Sequence, residues 1–276
     1  MKKIGLFVSR WFLFFRNNGS ILFQCVVLLA AVLLPYTLSK TFLTEIDNIS
    51  NSEINDFIFY IYSFNRLLCS ILLVSIALYY LRKDNCEKVF CYKNKYHNYP
   101  YVCFLVARFL GIKKCSLVRV PIGLQYKLLI KSTFSEYITE ELTKDECSIV
   151  VREEHSNKKS SKICIVISDT YSISVRRQIP DKLKNYGVIH IARVGGNYRA
   201  INKQLVEKVT DVVNNLPKET DEVLLFATTN PLHNQLIAKA CFTCAGRGRI
   251  KWLTVYQQDS DENRTFSASS YWRMRV

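Results

Sequence analysis

The sequence predicts an α/β protein in which an N-terminal two-helix transmembrane hairpin is followed by a cytosolic Rossmann-like domain. Two long apolar stretches lie within residues 1–81 of the 276-residue chain. Along the last third of the chain, short apolar runs alternate with amphipathic stretches, which is typical of parallel strands joined by helical crossovers. We therefore expect a membrane anchor over residues 1–83 and a cytosolic α/β domain over residues 84–276.

The two apolar stretches are long enough to form transmembrane helices, at about residues 20–39 and 57–81. The first contains 18 consecutive residues without a charge, which with its flanks can cross a hydrocarbon core of about 30 Å. Lys and Arg flank the outer ends of the pair, whereas residues 39–56 hold four acidic residues and one Lys. By the positive-inside rule, both ends of the hairpin are then cytosolic. A cleaved signal peptide is disfavoured because no convincing small-x-small site follows the first stretch.

Three polar residues interrupt the apolar stretches: Gln24, Asn65 and Arg66. Polar side chains within a span are costly and usually mark a function or a partner. Arg66 either snorkels at the outer edge of a shorter span or faces inward, with Gln24, in a self-associating hairpin. The aromatic segment 4–15 is too short to span, and it either lies in the interface as an amphipathic helix or extends the first span.

Charge is distributed unevenly along the chain. Residues 82–276 contain 32 of the 38 Lys and Arg and 19 of the 23 Asp and Glu, a net charge of +13. This balance suits an anionic ligand, a polyanion or an anionic lipid surface. The ten cysteines are irregularly spaced, and Cys241 with Cys244 lacks two further zinc ligands. We expect buried, reduced thiols and no metal site.

The sequence patterns that predict secondary structure are weaker in the middle of the chain than at its end. Over residues 84–160 we expect a helix at 100–112 and strands at 115–122, 125–131 and 147–153. In the last third, continuous apolar runs predict strands at 163–168, 188–192, 223–227 and 250–255. Helices between these strands are expected at 175–184, 198–214 and 231–244.

Four polar loops should share one edge of this sheet, because ligands of parallel α/β sheets bind beyond the carboxyl ends of the strands. The loops are SDTYS, RVGGNYR, TTNPLH and QQDSDEN. They supply hydroxyls, amides, cations and glycines for close backbone approach, and a helix opening at Tyr198 would direct its N-terminal amides at a phosphate. The candidate ligand-binding residues are Ser168, Asp169, Thr170, Arg193, Gly195, Gly196, Asn197, Arg199, Thr228, Thr229 and Asn230.

Catalysis is not predicted by any motif in the sequence. Neither His190 nor His233 has an evident carboxylate partner that would make it a general base. Asp259 and Asp261 form a DxD pattern that could hold a divalent metal for nucleotide-sugar chemistry, although little chain follows it to build an acceptor site. A membrane-anchored nucleotide-sugar-dependent transferase is therefore the alternative function.

Residues 162–276 resemble a SAVED domain, a Rossmann-like relative of the CARF ligand sensors. The likeness lies in KICIVISDTYS, VLLFATTNPLHNQLIAKA and IKWLTVYQQDSDENRTF. With the helix pair in front of it, the chain is similar to the transmembrane effectors of bacterial CBASS antiphage defence. A sister group carries a SMODS-associated NUDIX-type sensor behind the same helix pair, and both versions imply the same function.

The resemblance implies that a cyclic di- or trinucleotide, made by a partner CD-NTase synthase, binds with its phosphates facing Arg193, Arg199 and the turn at 195–197. Binding would favour a homo-oligomer, and the clustered hairpins would open or rupture the bacterial inner membrane in abortive infection. We expect no cofactor, no catalytic activity and no nucleic acid polymer as partner. A scaffold that docks on anionic lipid or nucleic acid is a further alternative, and its binding would depend steeply on salt.

Overall fold

The computed structural model describes the backbone over residues 2–46, 52–137, 143–154, 160–195, 198–243, 249–259 and 263–276. Side chains are described over the same ranges except at residues 2–8, 37–63 and 154. The chain forms two compact units. One comprises residues 1–88 and 102–113, and the other comprises residues 89–101 and 114–276. Segment 102–113, which the sequence analysis assigned to the cytosolic domain, thus belongs to the first unit.

The first unit is helical. Its helices are α1 (Lys2–Asn17), α2 (Gly19–Ile46), α3 (Ser52–Asn85) and α4 (Tyr101–Phe109). Helices α2 and α3 each contain an apolar window long enough to cross a membrane, at Gly19–Tyr36 and Phe64–Asn85. Because 11% and 6% of these windows are buried, the two helices differ from the core helices of a soluble protein. Exposed apolar surface of this extent requires a lipid or protein environment.

Polar contacts join α2 to α3 at two levels. Gln24 Nε2 donates to Asn85 Oδ1 over 3.0 Å, and Asn85 Nδ2 donates to Gln24 Oε1 over 2.8 Å. Further along the pair, Ser70 Oγ donates to the Val32 carbonyl over 3.2 Å. Hydrogen bonds of this kind hold helices together in lipid, where apolar packing alone provides little driving force.

The second unit is an α/β domain, and its described residues form two sheets. Strands β1 (Val89–Phe90) and β2 (Lys114–Cys115) form a short parallel pair. The large sheet has the strand order β3-β5-β4-β6-β7-β8. Its strands are β3 (Ile149–Glu154), β4 (Lys162–Ser168), β5 (Val188–Arg193), β6 (Glu222–Ala227), β7 (Trp252–Gln258) and β8 (Phe266–Arg275).

The four inner strands of the large sheet are parallel, as the sequence predicts, and the predicted α/β class is confirmed. Strands β3 and β8 close the two edges in antiparallel orientation. The helices of this unit are α5 (Ile122–Ile130), α6 (Val175–Gln178), α7 (Asp181–Lys184), α8 (Lys203–Asn214) and α9 (Pro231–Ile237), which continues as a π-helical turn. The apolar runs of β4 and β6 are almost entirely buried, which explains why their sequences identify them.

The strands predicted at 115–122 and 125–131 are wrong. Of the first, only Cys115 is a strand residue, in β2, and the second is helix α5. Gln125 accounts for the false alternation, because it reads as a surface residue but is buried. Its Nε2 donates to the carbonyls of Leu117 and Val120 over 2.9 and 2.8 Å. A polar residue can be buried when backbone groups accept its hydrogen bonds. Its position then looks exposed in the sequence, and the helical spacing of buried residues is obscured.

The helix predicted to open at Tyr198 instead begins at Lys203. Asn202 is the N-cap, and its side chain accepts a hydrogen bond from the Leu205 amide over 3.0 Å. A capping Asn satisfies an amide that would otherwise lack a partner at the helix start. The prediction that amides of a helix at Tyr198 face a phosphate is therefore wrong.

Two further elements differ from prediction. The helix expected at 175–184 is two short helices, α6 and α7, separated at Pro180, whose missing N–H interrupts a helix. Strand β8 was not predicted, because half of its residues are exposed and it carries no continuous apolar run. It is an edge strand that pairs with β7, and such strands give a weak signal.

Candidate functional site

The loops that follow β4 and β6 are joined at the carboxyl edge of the large sheet. The Thr170 amide donates to the Thr228 carbonyl over 3.1 Å, and Thr228 Oγ1 donates to the Tyr171 carbonyl over 2.6 Å. The hydroxyl of Thr170 also donates to the Thr228 carbonyl. Because β4 and β6 are neighbouring parallel strands, these hydrogen bonds fix the two loops side by side.

A buried charge network supports these loops. Nε of Arg193 lies 3.0 Å from Asp169 Oδ1, and its Nη1 lies 2.5 Å from Asp145 Oδ2. The side chains of Arg193 and Asp169 are fully buried, and that of Asp145 is nearly so. Two carboxylates thus neutralise one guanidinium in the interior, where an unpaired charge is strongly destabilising. A hydrogen bond from Cys147, together with the Arg193 cation, holds the pKa of Asp145 well below its ordinary value.

His233 extends this network to the start of α9. Its Nε2 accepts a hydrogen bond from the Asn202 amide over 2.9 Å, so this nitrogen carries no proton. Nδ1 then carries the proton and donates to Asp169 Oδ2 over 2.7 Å. The expectation that His233 lacks a carboxylate partner is wrong, because Asp169 reaches it across 64 residues of sequence. His190 has a different partner, with its Nε2 2.8 Å from Ser168 Oγ.

The Asp169–His233 pair is part of the scaffold of this edge. Both side chains have no exposed surface, so neither can contact a ligand in the conformation described. A general base must lie within hydrogen-bond reach of the proton that it removes. The pair therefore positions the surrounding loops through its contacts.

A cleft of about 120 Å³ opens among the loops of this edge. Tyr171 and Tyr198 are 50% and 48% exposed, and Arg199 is also exposed. Half-exposed aromatic faces are stacking platforms for bases, and a guanidinium is the preferred partner of a phosphate. The residues that line the cleft are Val118, Gln125, Thr170, Tyr171, Tyr198, Arg199, Thr229, Asn230 and Pro231.

Each tyrosine of the cleft lies against an arginine. The guanidinium of Arg264 is 4.5 Å from the ring centroid of Tyr171, and that of Arg193 is 4.9 Å from the ring centroid of Tyr198. Cation–π contacts of this geometry favour one orientation of each ring. The two rings are therefore held in place before a ligand arrives.

Ten of the eleven residues predicted to bind ligand divide into three groups. Four of them line the cleft: Thr170, Arg199, Thr229 and Asn230. Four others are buried and are not among the lining residues: Ser168, Asp169, Arg193 and Thr228. Gly196 and Asn197 lie outside the described residues.

Gly195 is exposed and has a φ of +93°. A Cβ at this position would meet the Sγ of Cys147 at 3.8 Å, which is ordinary contact. The left-handed backbone at this position favours glycine.

The two tyrosines and the α5 side of the cleft were not predicted from the sequence. Tyr171 and Tyr198 are visible in the loop sequences SDTYS and RVGGNYR, so an aromatic residue within a polar loop was the available signal. The α5 side had no such signal, because α5 was taken for a strand. Asn234 connects this α5 side to the loop after β6. Its Nδ2 donates a hydrogen bond to Gln125 Oε1 over 2.8 Å, and its Oδ1 accepts a hydrogen bond from Thr229 Oγ1.

The DxD pattern lies in the hairpin between β7 and β8. The Asp259 amide donates to the Thr265 carbonyl over 2.8 Å, which closes the hairpin. Asp259 is not a lining residue of the cleft, and Asp261 lies outside the described residues. Within the part of the chain that the structure describes, no group of three His, Cys, Asp or Glu side chains could hold a metal.

The three polar residues predicted to act in the membrane occupy different environments. Gln24 is buried, and Asn85 satisfies its amide within the same hairpin. Asn65 is exposed on α3, and Arg66 is half-buried. Of the two amides, Asn65 is therefore the one that faces away from its own hairpin.

Comparison with known proteins identifies the family. The model of the SMODS- and Ubiquitin system-associated 2TM effector domain (SUa-2TM) matches residues 10–272. The chain belongs to this family. The SUa-2TM match covers both units, and its two transmembrane helices correspond to the exposed apolar helices α2 and α3. The resemblance to a two-helix transmembrane effector is confirmed, and the protein is membrane-anchored.

Solved structures similar to this SUa-2TM chain include a receptor of Acinetobacter baumannii, Cap4, which contains a SAVED/CARF domain. With the cyclic trinucleotide 3′3′3′-cAAA, Cap4 shares 8% identity with this chain at a TM-score of 0.43, over 62% of this chain and 41% of the receptor. With 2′3′3′-cAAA, the identity is 8% and the TM-score 0.42, over 74% of this chain and 55% of the receptor. The SUa-2TM chain thus spans about half the length of these receptor chains. The search of curated proteins found no match.

Proposed function

We propose that this protein is a CBASS antiphage effector that binds a cyclic oligonucleotide in the cleft and then disrupts the bacterial inner membrane. The observation that carries the proposal is the position of Tyr171, Tyr198 and Arg199 around one cavity at the carboxyl edge of the sheet. Two aromatic faces and a cation suit the base and phosphate of a nucleotide. Membership of an effector family links such a cleft to an action on the membrane.

The cleft residues have distinct roles in this proposal. A base stacks against Tyr171 or Tyr198, and the exposed Arg199 donates to a phosphate. The hydroxyls of Thr170 and Thr229 already donate hydrogen bonds inside the protein. Their oxygens still have lone pairs, so they serve as acceptors for base N–H groups.

The size of the cleft supports an oligomeric mechanism. At about 120 Å³, it is smaller than the roughly 300–1,000 Å³ of typical small-molecule pockets. It therefore has room for about one base, while the rest of a cyclic ligand stays outside. A ring of repeated units offers similar surfaces to several copies of the protein, and a symmetric homo-oligomer follows naturally from such a ligand.

Oligomerisation then acts through the hairpins. In this proposal both termini lie in the cytoplasm, and the cleft meets a messenger made there by a CD-NTase synthase. Asn65 is exposed on α3, and an amide in lipid gains from hydrogen bonds to a neighbouring helix. Clustered hairpins that share such contacts open or rupture the membrane and cause abortive infection. The protein acts by binding, without catalysis or a cofactor.

A binding screen tests the proposal directly. The full-length protein in detergent is titrated with a panel of cyclic di- and trinucleotides. We expect one strong ligand among silent relatives, and Arg199→Ala should weaken its binding about 10- to 100-fold, because a hydrogen bond to a charged group contributes about 1.5–3 kcal/mol. Arg249→Ala is the matched control, since Arg249 is exposed and lies before β7, at the opposite edge of the sheet.

The screen also separates the alternatives. Weak binding of every nucleotide with a steep salt dependence would support the alternative of a scaffold that docks on anionic lipid or nucleic acid. Metal-dependent turnover of a nucleotide sugar that requires Asp259 and Asp261 would support the transferase. Either outcome, or equal effects of the Arg199 and Arg249 variants, would contradict the proposed site.

A further inference from the structure

A second and larger cavity lies in the helical unit, at the C-terminal end of α3. It is a groove of about 720 Å³ formed by α3, the end of α4 and the segment after α4. We call it the basic groove, because four of its lining residues are cations and none of its lining residues is acidic. The four cations are Arg82, Lys83, Arg108 and Lys113, and all of them are exposed.

The groove is built by a close contact between α3 and the segment after α4. Asn85 Nδ2 donates to the Leu110 carbonyl over 2.9 Å, and Arg82 Nε donates to the Phe109 carbonyl over 3.1 Å. Gly111 has a φ of +96°, and a Cβ there would lie 2.6 Å from the Cα of Arg82. The backbone can approach α3 this closely only because residue 111 is glycine. The cations are thus held around one cavity by specific backbone contacts.

The groove is polar at one end and apolar at the other. Ser75, Leu78 and Tyr79 line the end of the groove that lies nearer the middle of α3. Arg82 lies one turn beyond them, about 5 Å further along the helix axis. Tyr79 and the adjacent Tyr80 are 64% and 63% exposed, and exposed tyrosines at the end of a span mark the level of the headgroups.

This arrangement has the shape and polarity of a phospholipid. An acyl chain can follow the apolar end of the groove while its headgroup phosphate lies among the cations. A free phosphate or a soluble nucleotide would use the basic end alone and leave Leu78 and Tyr79 without a role. Basic cavities beside transmembrane helices at the cytoplasmic side are typical sites for anionic lipid headgroups.

We propose that the basic groove binds an anionic phospholipid of the inner leaflet, with the headgroup phosphate held by Arg82, Lys83, Arg108 and Lys113. This site belongs to the helical unit and is separate from the cleft of the α/β unit. In this proposal the lipid is a specifically bound ligand of the effector as well as the medium around its transmembrane helices. The proposal concerns residues that the proposed nucleotide cleft does not use.

Native mass spectrometry of the full-length protein tests this site. The protein in detergent is given equal amounts of phosphatidylglycerol and phosphatidylcholine with identical acyl chains. We expect preferential retention of phosphatidylglycerol, reduced about tenfold or more in the variant Lys83→Gln, Arg108→Gln, Lys113→Gln, since each such cation contributes to binding of an anionic lipid. Arg82 is kept, because its hydrogen bond helps to hold the segment after α4.

The matched control removes the same charge outside the groove. The variant Lys88→Gln, Lys93→Gln, Lys95→Gln changes three exposed lysines that follow α3, and it should retain phosphatidylglycerol as the wild type does. Equal retention of the two lipids by the wild-type protein would overturn the proposal, as would equal losses in both triple variants. Displacement of the lipid by millimolar inorganic phosphate or glycerophosphoglycerol would show that the basic end of the groove binds a soluble anion. That result would also overturn the proposal.

Discussion

Nδ1 of His233 lies 2.7 Å from Oδ2 of Asp169, and neither side chain has any exposed surface. Asp169 also pairs with Arg193. One carboxylate therefore links the loop after β4, the end of β5 and the start of α9. The tyrosines and the arginine of the cleft lie on these same loops, so the network fixes the geometry that a ligand meets.

Loss of the Asp169 charge should destabilise the α/β unit. Asp169→Asn leaves Arg193 buried with one carboxylate fewer, and breaking a buried ion pair typically costs about 3–5 kcal/mol. At roughly 2–4 °C per kcal/mol for a domain of this size, we expect the melting temperature in detergent to fall by about 6 °C or more. Asp181→Asn is the control, because Asp181 pairs with Lys184 and is 96% exposed. Equal melting of the Asp169 variant and the wild type would refute the structural role.

Tyr171 should contribute stacking energy to ligand binding. Base–aromatic stacking contributes about 1–3 kcal/mol per base, so Tyr171→Ala should weaken ligand binding roughly 5- to 100-fold. Tyr271→Ala is a matched control, since Tyr271 is 51% exposed and lies on β8. Titration calorimetry with the ligand identified in the screen measures both. If the two variants bind alike, the ligand does not stack on Tyr171.

Glu136 should make stability depend on pH. Burial raises the pKa of Glu136 from 4.5 to about 7, although the Leu117 amide and Arg199 act to lower it. A folded-state pKa above the unfolded value means that the fold prefers the protonated acid. Its contribution to stability is therefore complete below about pH 4.5 and is lost as the pH rises to about 7.

The test compares Glu136→Gln with the wild type in melting experiments between pH 4 and pH 8. The variant should remove this decline and should melt higher than the wild type at pH 8, because the amide cannot ionise. An unchanged pH profile in the variant would show that Glu136 titrates near its ordinary pKa in the fold.

Asn65 should promote association of the hairpins in lipid. It is an exposed amide on α3, and an interhelical hydrogen bond in a membrane contributes about 0.6–2 kcal/mol. Asn65→Leu should shift ligand-bound protein in nanodiscs or liposomes toward smaller oligomers in crosslinking experiments. Cys69→Leu is the control, because Cys69 is exposed one turn further along the same helix. Equal oligomer distributions in the two variants would show that Asn65 does not contribute to the interface between hairpins.

Continuous apolar runs made the inner sheet predictable. Strands β4 and β6 lie in the interior, and burial on both faces leaves a sequence without alternation. The parallel order then places the loops after β4, β5 and β6 at one edge, which is why Thr170, Arg199, Thr229 and Asn230 could be selected before the cleft was seen. Local composition and topology together sufficed for this part of the site.

Long-range polar contacts were not predictable from the sequence. Gln125 looks like a surface residue because its backbone partners are formed by the fold itself. The Asp169–His233 pair joins residues 64 positions apart, and no local pattern encodes such a contact. Arg193 was selected as a cation, but its buried position follows from carboxylates brought to it by the folded chain.

Dye release from proteoliposomes tests whether ligand binding to the cleft makes the protein disrupt a membrane. The full-length protein is reconstituted in liposomes, and the cyclic oligonucleotide selected by the binding screen is added. We expect dye release that depends on ligand, is lost in Arg199→Ala and is retained in Arg249→Ala. Intact liposomes at saturating ligand, or equal release with and without ligand, would contradict a ligand-gated membrane effector.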